Sequence, residues 1–129
     1  MTGDNREFDA AVERHLAAVG GRDLDGYLAT VHDDVSLVLL GGRIVVGKAA
    51  VGEFHREWFA DPDWSWRLTP LHRATTGGTG AVLFAVDYHD LDQTGAPYTM
   101  RYLLGLTFAR LDAGWLLLHD QNTPAPGGD

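Results

Sequence analysis

Six histidines and no cysteine set the chemical repertoire of this 129-residue chain. Without thiols it has no disulfide, no thiolate nucleophile and no Cys-based zinc or iron–sulfur site. Acid–base chemistry therefore falls to histidines and carboxylates. His15 and His55 are the most informative, because each interrupts an apolar helical stripe. Phe8, Ala11, Val12, His15, Leu16 and Val19 recur at helical spacing, as do Val51, Phe54, His55 and Trp58. Leu or Phe would pack better at either position. A histidine pair can donate, accept or pass a proton near neutral pH. The competing reading is a packed core histidine on each helix, satisfied by one hydrogen bond.

His119, Asp120 and Gln121 form the next cluster. On the phase of Trp115, His119 and Gln121 share a face with Leu117. That face is expected to be the inner one, so both point at a pocket and Asp120 faces the other way. Satisfying backbone groups near the sheet end is the alternative role. His32-Asp33-Asp34 reads as a solvated turn between a helix and a strand, where Asp34 caps or orients a neighbour. Asp87 shares a phase with Leu83 and Ala85 and needs a partner such as Arg101 or Arg73, since an unpaired buried charge is costly.

Tyr27, Trp58, Trp64, Trp66, Tyr88, Tyr98 and Tyr102 are many aromatics for a small domain. Most belong to the core. Tyr27, Trp58, Tyr88 and Tyr102 are expected to wall a cavity for a flat apolar ligand, whose orientation a few polar groups would fix. No histidines stand in His-x-x-x-His spacing, so a metal site would need His15, His55 and His119 to converge in space, and none is expected. No glycine-rich phosphate cradle is present, and no cofactor is expected.

These residues need elements to position them. The first stripe reads as a helix capped by Asp4 or Asn5 and ended by Gly20-Gly21. Asp23 caps a short second helix. A strand over 35–40 turns at Gly41-Gly42 and returns over 43–46. A third helix follows Gly47 and stops at Pro62. Four long strands follow over 64–74, 79–90, 97–111 and 115–122, with Pro70 marking an edge or a bend. Residues 1–123 read as one domain, followed by a flexible tail over 124–129.

Both phases of the 97–111 strand are apolar or small, whereas a half-exposed strand alternates apolar and polar. Helices can cover one face. A second copy of the chain is the economical cover for the other, so a homodimer through the sheet is expected. The net charge of −8 argues against nucleic-acid and anionic-membrane partners. No apolar run reaches the roughly 18 residues of a membrane span, and the first residues lack a signal-peptide pattern. A cytoplasmic location is expected.

The order of motifs resembles the nuclear transport factor 2-like superfamily, and within it the small bacterial SnoaL-like branch. The resemblance rests on Gly21-Arg22-Asp23-Leu24-Asp25, His32-Asp33-Asp34-Val35, Gly47-Lys48-Ala49-Ala50-Val51, Gly114-Trp115 and Gln121-Asn122-Thr123-Pro124. It covers residues 6–124. It implies an α+β fold, a cone-shaped barrel in which N-terminal helices pack into a strongly curved mixed or antiparallel sheet around an internal pocket. Members include ketosteroid isomerase, polyketide cyclases, limonene-epoxide hydrolase, scytalone dehydratase and association domains without chemistry. Fold alone therefore leaves function open.

The resemblance places His15 and His55 where ketosteroid isomerase carries tyrosines. That enzyme's general base aligns with Leu39, and its second acid falls within Leu103-Leu104-Gly105-Leu106, so neither carboxylate is present. The Asp-Arg-Asp relay of limonene-epoxide hydrolase is missing too, although Arg101 with Asp87 imitates part of it. What the resemblance implies is a small-molecule enzyme of bacterial secondary metabolism. It would be a cofactor-independent cyclase, isomerase or dehydratase acting on an apolar, oxygenated molecule. His15 and His55 would be its acid–base pair, His119 and Gln121 would orient the substrate's oxygens, and Trp58, Tyr88 and Tyr102 would shape the walls. The alternatives are a non-catalytic ligand-binding protein and a dimeric association module, the latter with a collapsed cavity.

Overall fold

A computed structural model describes residues 2–125, with side chains from residue 5 onward. Helix α1 spans Thr2–Gly20, α2 Leu24–Leu28 and α3 Lys48–Phe59; the strands are β1 Val31–Val38, β2 Ile44–Val46, β3 Ser65–Thr75, β4 Thr79–Leu91, β5 Pro97–Leu111 and β6 Gly114–Pro124. The strands form one six-stranded sheet in the order β2-β1-β6-β5-β4-β3. β1 runs parallel to β6 and every other pairing is antiparallel. The result is a cone-shaped α+β fold whose curved mixed sheet is not closed, with β2 and β3 as its edges.

The helices form for the reasons their stripes give. Phe8, Ala11, Val12, His15, Ala18 and Val19 are all buried on one face of α1. That face meets the inner face of the sheet, where Phe8 packs edge-on against Phe108 and Trp115 with ring centroids 5.6 and 5.1 Å apart. Gly80 on β4 makes the approach possible: a Cβ there would lie 2.3 Å from the Phe8 ring. Asp23 caps α2 by accepting from the Gly26 N–H at 3.0 Å, as expected. Gly47, at φ +93, supplies the left-handed turn into α3. Pro70 lies at a bulge on the edge strand β3, where its missing N–H costs no ladder bond in the sheet interior.

Several boundaries differ from expectation. α1 begins at Thr2, so neither Asp4 nor Asn5 caps it; Asn5 instead accepts from the Thr75 hydroxyl at 2.7 Å. β1 begins at Val31, so His32-Asp33-Asp34 is strand and not turn. Pairing of Val31 with Leu117 on β6, together with the Leu117 N–H bond to the Thr30 carbonyl at 2.8 Å, imposes that strand on a polar segment. The first strand thus starts four residues earlier and ends two residues sooner than expected. β6 runs on to Pro124, while 126–129 of the expected tail lie outside the described residues. Among the described residues, no helix is long and apolar enough to cross a membrane.

One irregularity matters most for the site. On β6, Leu117 pairs with Phe108 and His119 pairs with Thr107, which leaves Leu118 as an extra residue. Such a bulge reverses the side-chain phase downstream. Trp115 and Leu117 are buried before it, and Asp120 is buried after it.

Candidate functional site

A cavity of about 360 Å³ opens between the helices and the inner face of the sheet. α1 contributes His15, Leu16 and Val19, and α3 contributes Phe54, His55 and Trp58. The β1–β2 hairpin adds Leu37, Leu39, Leu40 and Gly41. Trp66, Tyr88, Tyr98, Met100, Tyr102, Leu104, Leu106, Asp120 and Asn122 complete it from the last four strands. The walls are apolar and aromatic with a few polar atoms among them, and the size suits a small organic molecule.

The hydrogen bonds fix the state of both histidines. Thr30 donates its only hydroxyl hydrogen to the Tyr27 carbonyl at 2.6 Å, so toward His15 Nδ1, 2.9 Å away, it must accept. His15 therefore carries its proton on Nδ1. His55 Nδ1 lies 2.9 Å from the Val51 carbonyl, which can only accept, so His55 is protonated there too. Both Nε2 atoms hold bare lone pairs. Burial pushes the His15 imidazolium down to about 3, with the nearby His55 adding to the effect. Burial likewise lowers His55 to about 4, against the opposing bond to the Val51 carbonyl. Both rings are neutral at pH 7.

Among the described residues, neither Nε2 has a hydrogen-bond partner. Among the described residues, the buried side-chain polar atoms sealed from solvent without a partner are the Tyr27 hydroxyl and Trp115 Nε1. Both Nε2 atoms thus open onto the cavity their side chains line. Tyr27 connects the two rings: its centroid is 4.0 Å from His55, stacked, and 5.3 Å from His15. No hydrogen bond joins the histidines directly.

Asp120 faces them across the same cavity. Burial raises its carboxyl to about 7, opposed by a hydrogen bond from Asn122. Asn122 Nδ2 donates to Asp120 Oδ1 at 2.9 Å and to the Val38 carbonyl at 2.9 Å, which occupies both amide hydrogens. Asp120 Oδ2 and the Tyr102 hydroxyl remain open to the cavity. The Tyr102 phenol is pushed up, first by burial and then by the charge of Asp120. Between α3 and β4, Trp58 Nε1 donates to the Tyr88 hydroxyl at 3.0 Å, and that hydroxyl donates to Asp90 Oδ2 at 3.0 Å.

Residues 12–114 match the SnoaL-like domain family. The chain belongs to that family. Its fold is also that of solved structures. An NTF2-like family protein from Streptomyces avermitilis, described as a candidate dehydratase, is 18% identical with a TM-score of 0.83, over 98% of this chain and 99% of that one. A ketosteroid isomerase-like protein from Erwinia carotovora atroseptica is 21% identical with a TM-score of 0.75, over 92% and 94%. A CaMKII hub from S. rosetta is 24% identical with a TM-score of 0.74, over 93% and 95%. No curated protein sequence matches the chain.

Against the expectations for a SnoaL-like domain, His15, His55, Trp58, Tyr88 and Tyr102 all line the cavity. Leu39, Leu104 and Leu106 line it as well; the resemblance to ketosteroid isomerase implied its base at Leu39 and its second acid within residues 103–106. Tyr27 does not line it; it lies fully buried behind His55. His119 and Gln121 are a correction: the Leu118 bulge turns them to the outer face. There His119 Nδ1 is 2.6 Å from Ser36 Oγ, and His119 Nε2 is 3.0 Å from Gln121 Oε1. The same bulge turns Asp120 and Asn122 inward, so the carboxylate missing from the template positions arrives from β6. Asp87 forms its ion pair with Arg101 at 3.2 Å, while Arg73 pairs with Asp9. Among the described residues, no three His, Asp or Glu side chains gather as a metal-ligand set.

Proposed function

We propose that this SnoaL-like domain is a cofactor-independent acid–base catalyst acting on an apolar, oxygenated small molecule. One observation carries the reading: two neutral histidines with bare Nε2 atoms and a buried carboxyl near pKa 7 open onto one cavity. His15 or His55 takes a proton from the substrate, and protonated Asp120 gives one. In an isomerisation that proton goes to carbon. In a dehydration it goes to the leaving hydroxyl; the C–O bond breaks, its electron pair leaves with oxygen as water, and a C=C bond forms. The imidazolium then returns its proton to the Asp120 carboxylate. The Asp120 carboxyl, near the working pH, suits the donor's part in this exchange. Trp58, Tyr88 and Tyr102 position the substrate. His119 and Gln121 belong to the outer face, which we propose is covered by a second copy of the chain; Leu83 there is 44% exposed on β4. An open cavity of about 360 Å³ favours a small-molecule role over an association module with a collapsed core.

The test is incubation of a panel of bicyclic β-hydroxy ketones with the protein in D₂O, read by NMR for loss of water and for C–H exchange. Exchange or elimination that disappears in Asp120→Asn and in a His15→Gln, His55→Gln double variant supports catalysis. A panel member that binds and never exchanges or eliminates points to the ligand-binding alternative.

A further inference from the structure

The polar atoms of the cavity are of one kind at its histidine end. His15 and His55 each present a lone pair and no hydrogen, because Thr30 and the Val51 carbonyl hold the Nδ1 protons. These tautomers are set from behind the site and leave no second choice. Thr30 has no other hydrogen to give, and a backbone carbonyl has none at all. Asn122 has spent both amide hydrogens on Val38 and Asp120, so its carbonyl oxygen is the atom left over. Around these acceptors stand Leu16, Leu37, Leu106 and the aromatic wall of α3. The hydrogen-bond donors left in the described lining stand away from the histidines' own helices: the Tyr98 and Tyr102 hydroxyls, Trp66 Nε1 and the Asp120 carboxyl.

A ligand carbonyl or ether placed against the histidines would set lone pair against lone pair. Each buried acceptor would lose its water and gain nothing, the costly case for a buried polar group. A ligand hydroxyl satisfies one of these acceptors with the hydrogen it carries. We propose that the SnoaL-like pocket selects a hydroxylated ring compound, seated by its own O–H groups on His15 and His55 Nε2, and rejects the same skeleton lacking those hydrogens. At an interior packing density of about 0.74 the cavity of about 360 Å³ holds a ligand of about 270 Å³, room for two or three fused rings. The inference rests on the placement of the proposed acid–base site but concerns recognition alone, with Asp120 and Tyr102 left to meet a ligand oxygen that accepts.

The experiment is calorimetric titration of the intact protein at pH 6 with 2-naphthol, 2-methoxynaphthalene and 2-acetylnaphthalene, none of which can be dehydrated. Apolar burial alone would favour the methyl ether, which carries the extra carbon. The expected result is the reverse: 2-naphthol binds at least about tenfold tighter than either analogue, as sites built to bond a hydroxyl discriminate. 2-Naphthol has one hydrogen to give, so the His15→Phe, His55→Phe double variant is expected to remove that preference, and His72→Gln, exposed on β3, to leave it in place. Equal or tighter binding of the ether or ketone by the unmodified protein overturns the inference, with no variant needing to fold. So does a preference that survives the double Phe variant and vanishes in Asp120→Asn, which would assign the ligand's hydrogen to the carboxyl. Failure of the exchange assay beside an intact 2-naphthol preference removes catalysis and leaves this inference standing.

Discussion

Replacing Asp120 with Asn should stabilise the protein by an amount that grows with pH. In the folded chain the Asp120 carboxyl sits at about 7, raised from 3.8 by burial. Between those values the folded state holds a proton that the unfolded state has released. Stability therefore falls as pH rises through that window, and is flat above about 7. From pH 5 to pH 7 the loss is two pH units at about 1.36 kcal/mol each, roughly 3 kcal/mol. Asn keeps the side-chain oxygen that accepts from Asn122 and removes the ionisation. The lowered values of His15 and His55 act in the opposite sense, since those groups bind protons in the unfolded state first. Their contribution rises with pH toward 6.5 and is common to both proteins, so it cancels in the comparison.

The assay is urea unfolding of both proteins at pH 5 and pH 8, followed by tryptophan fluorescence. The variant's advantage over the parent should be larger at pH 8 by roughly 3 kcal/mol. A constant offset between the two pH values would refute the reasoning. It would mean that the carboxyl is not held protonated by its surroundings, and with that the acid of the proposed mechanism would be lost.

Two further outcomes follow from the geometry. Nitrogen NMR of histidine-labelled protein at pH 6 should show His15 and His55 neutral with the proton on Nδ1; a proton on Nε2 of either ring, or titration near 6.5, contradicts the hydrogen-bond assignment. Gly80→Ala sets a Cβ 2.3 Å from Phe8 and should cost about 1–3 kcal/mol, read as a lower Tm; an unchanged Tm would mean that the Phe8 ring moves aside freely.

The helical part of the site was legible in the sequence, as were Tyr88 on β4 and Tyr102 on β5, and the part that β6 supplies was not. His15 and His55 could be placed because a helical stripe is over-determined: Phe8, Val12 and Val19 fix the buried face of α1 however its ends fray. Strand phase has no such redundancy, since one extra residue exchanges the two faces. β6 opens with Trp115-Leu116-Leu117-Leu118, apolar on both phases, so periodicity there says nothing about which side chain a bulge will absorb. The sole local signal was that Asp120 and Asn122 stand two apart, as a carboxylate and the amide that supports it would on one face. Reading inward from Trp115 gave His119 and Gln121 to the pocket; the bulge gave it Asp120 and Asn122. The chemistry changes with that one residue. A floor with a third imidazole would have been all bases, whereas the folded floor sets a protonatable carboxyl opposite two neutral ones. A catalyst that removes one proton and supplies another needs that asymmetry.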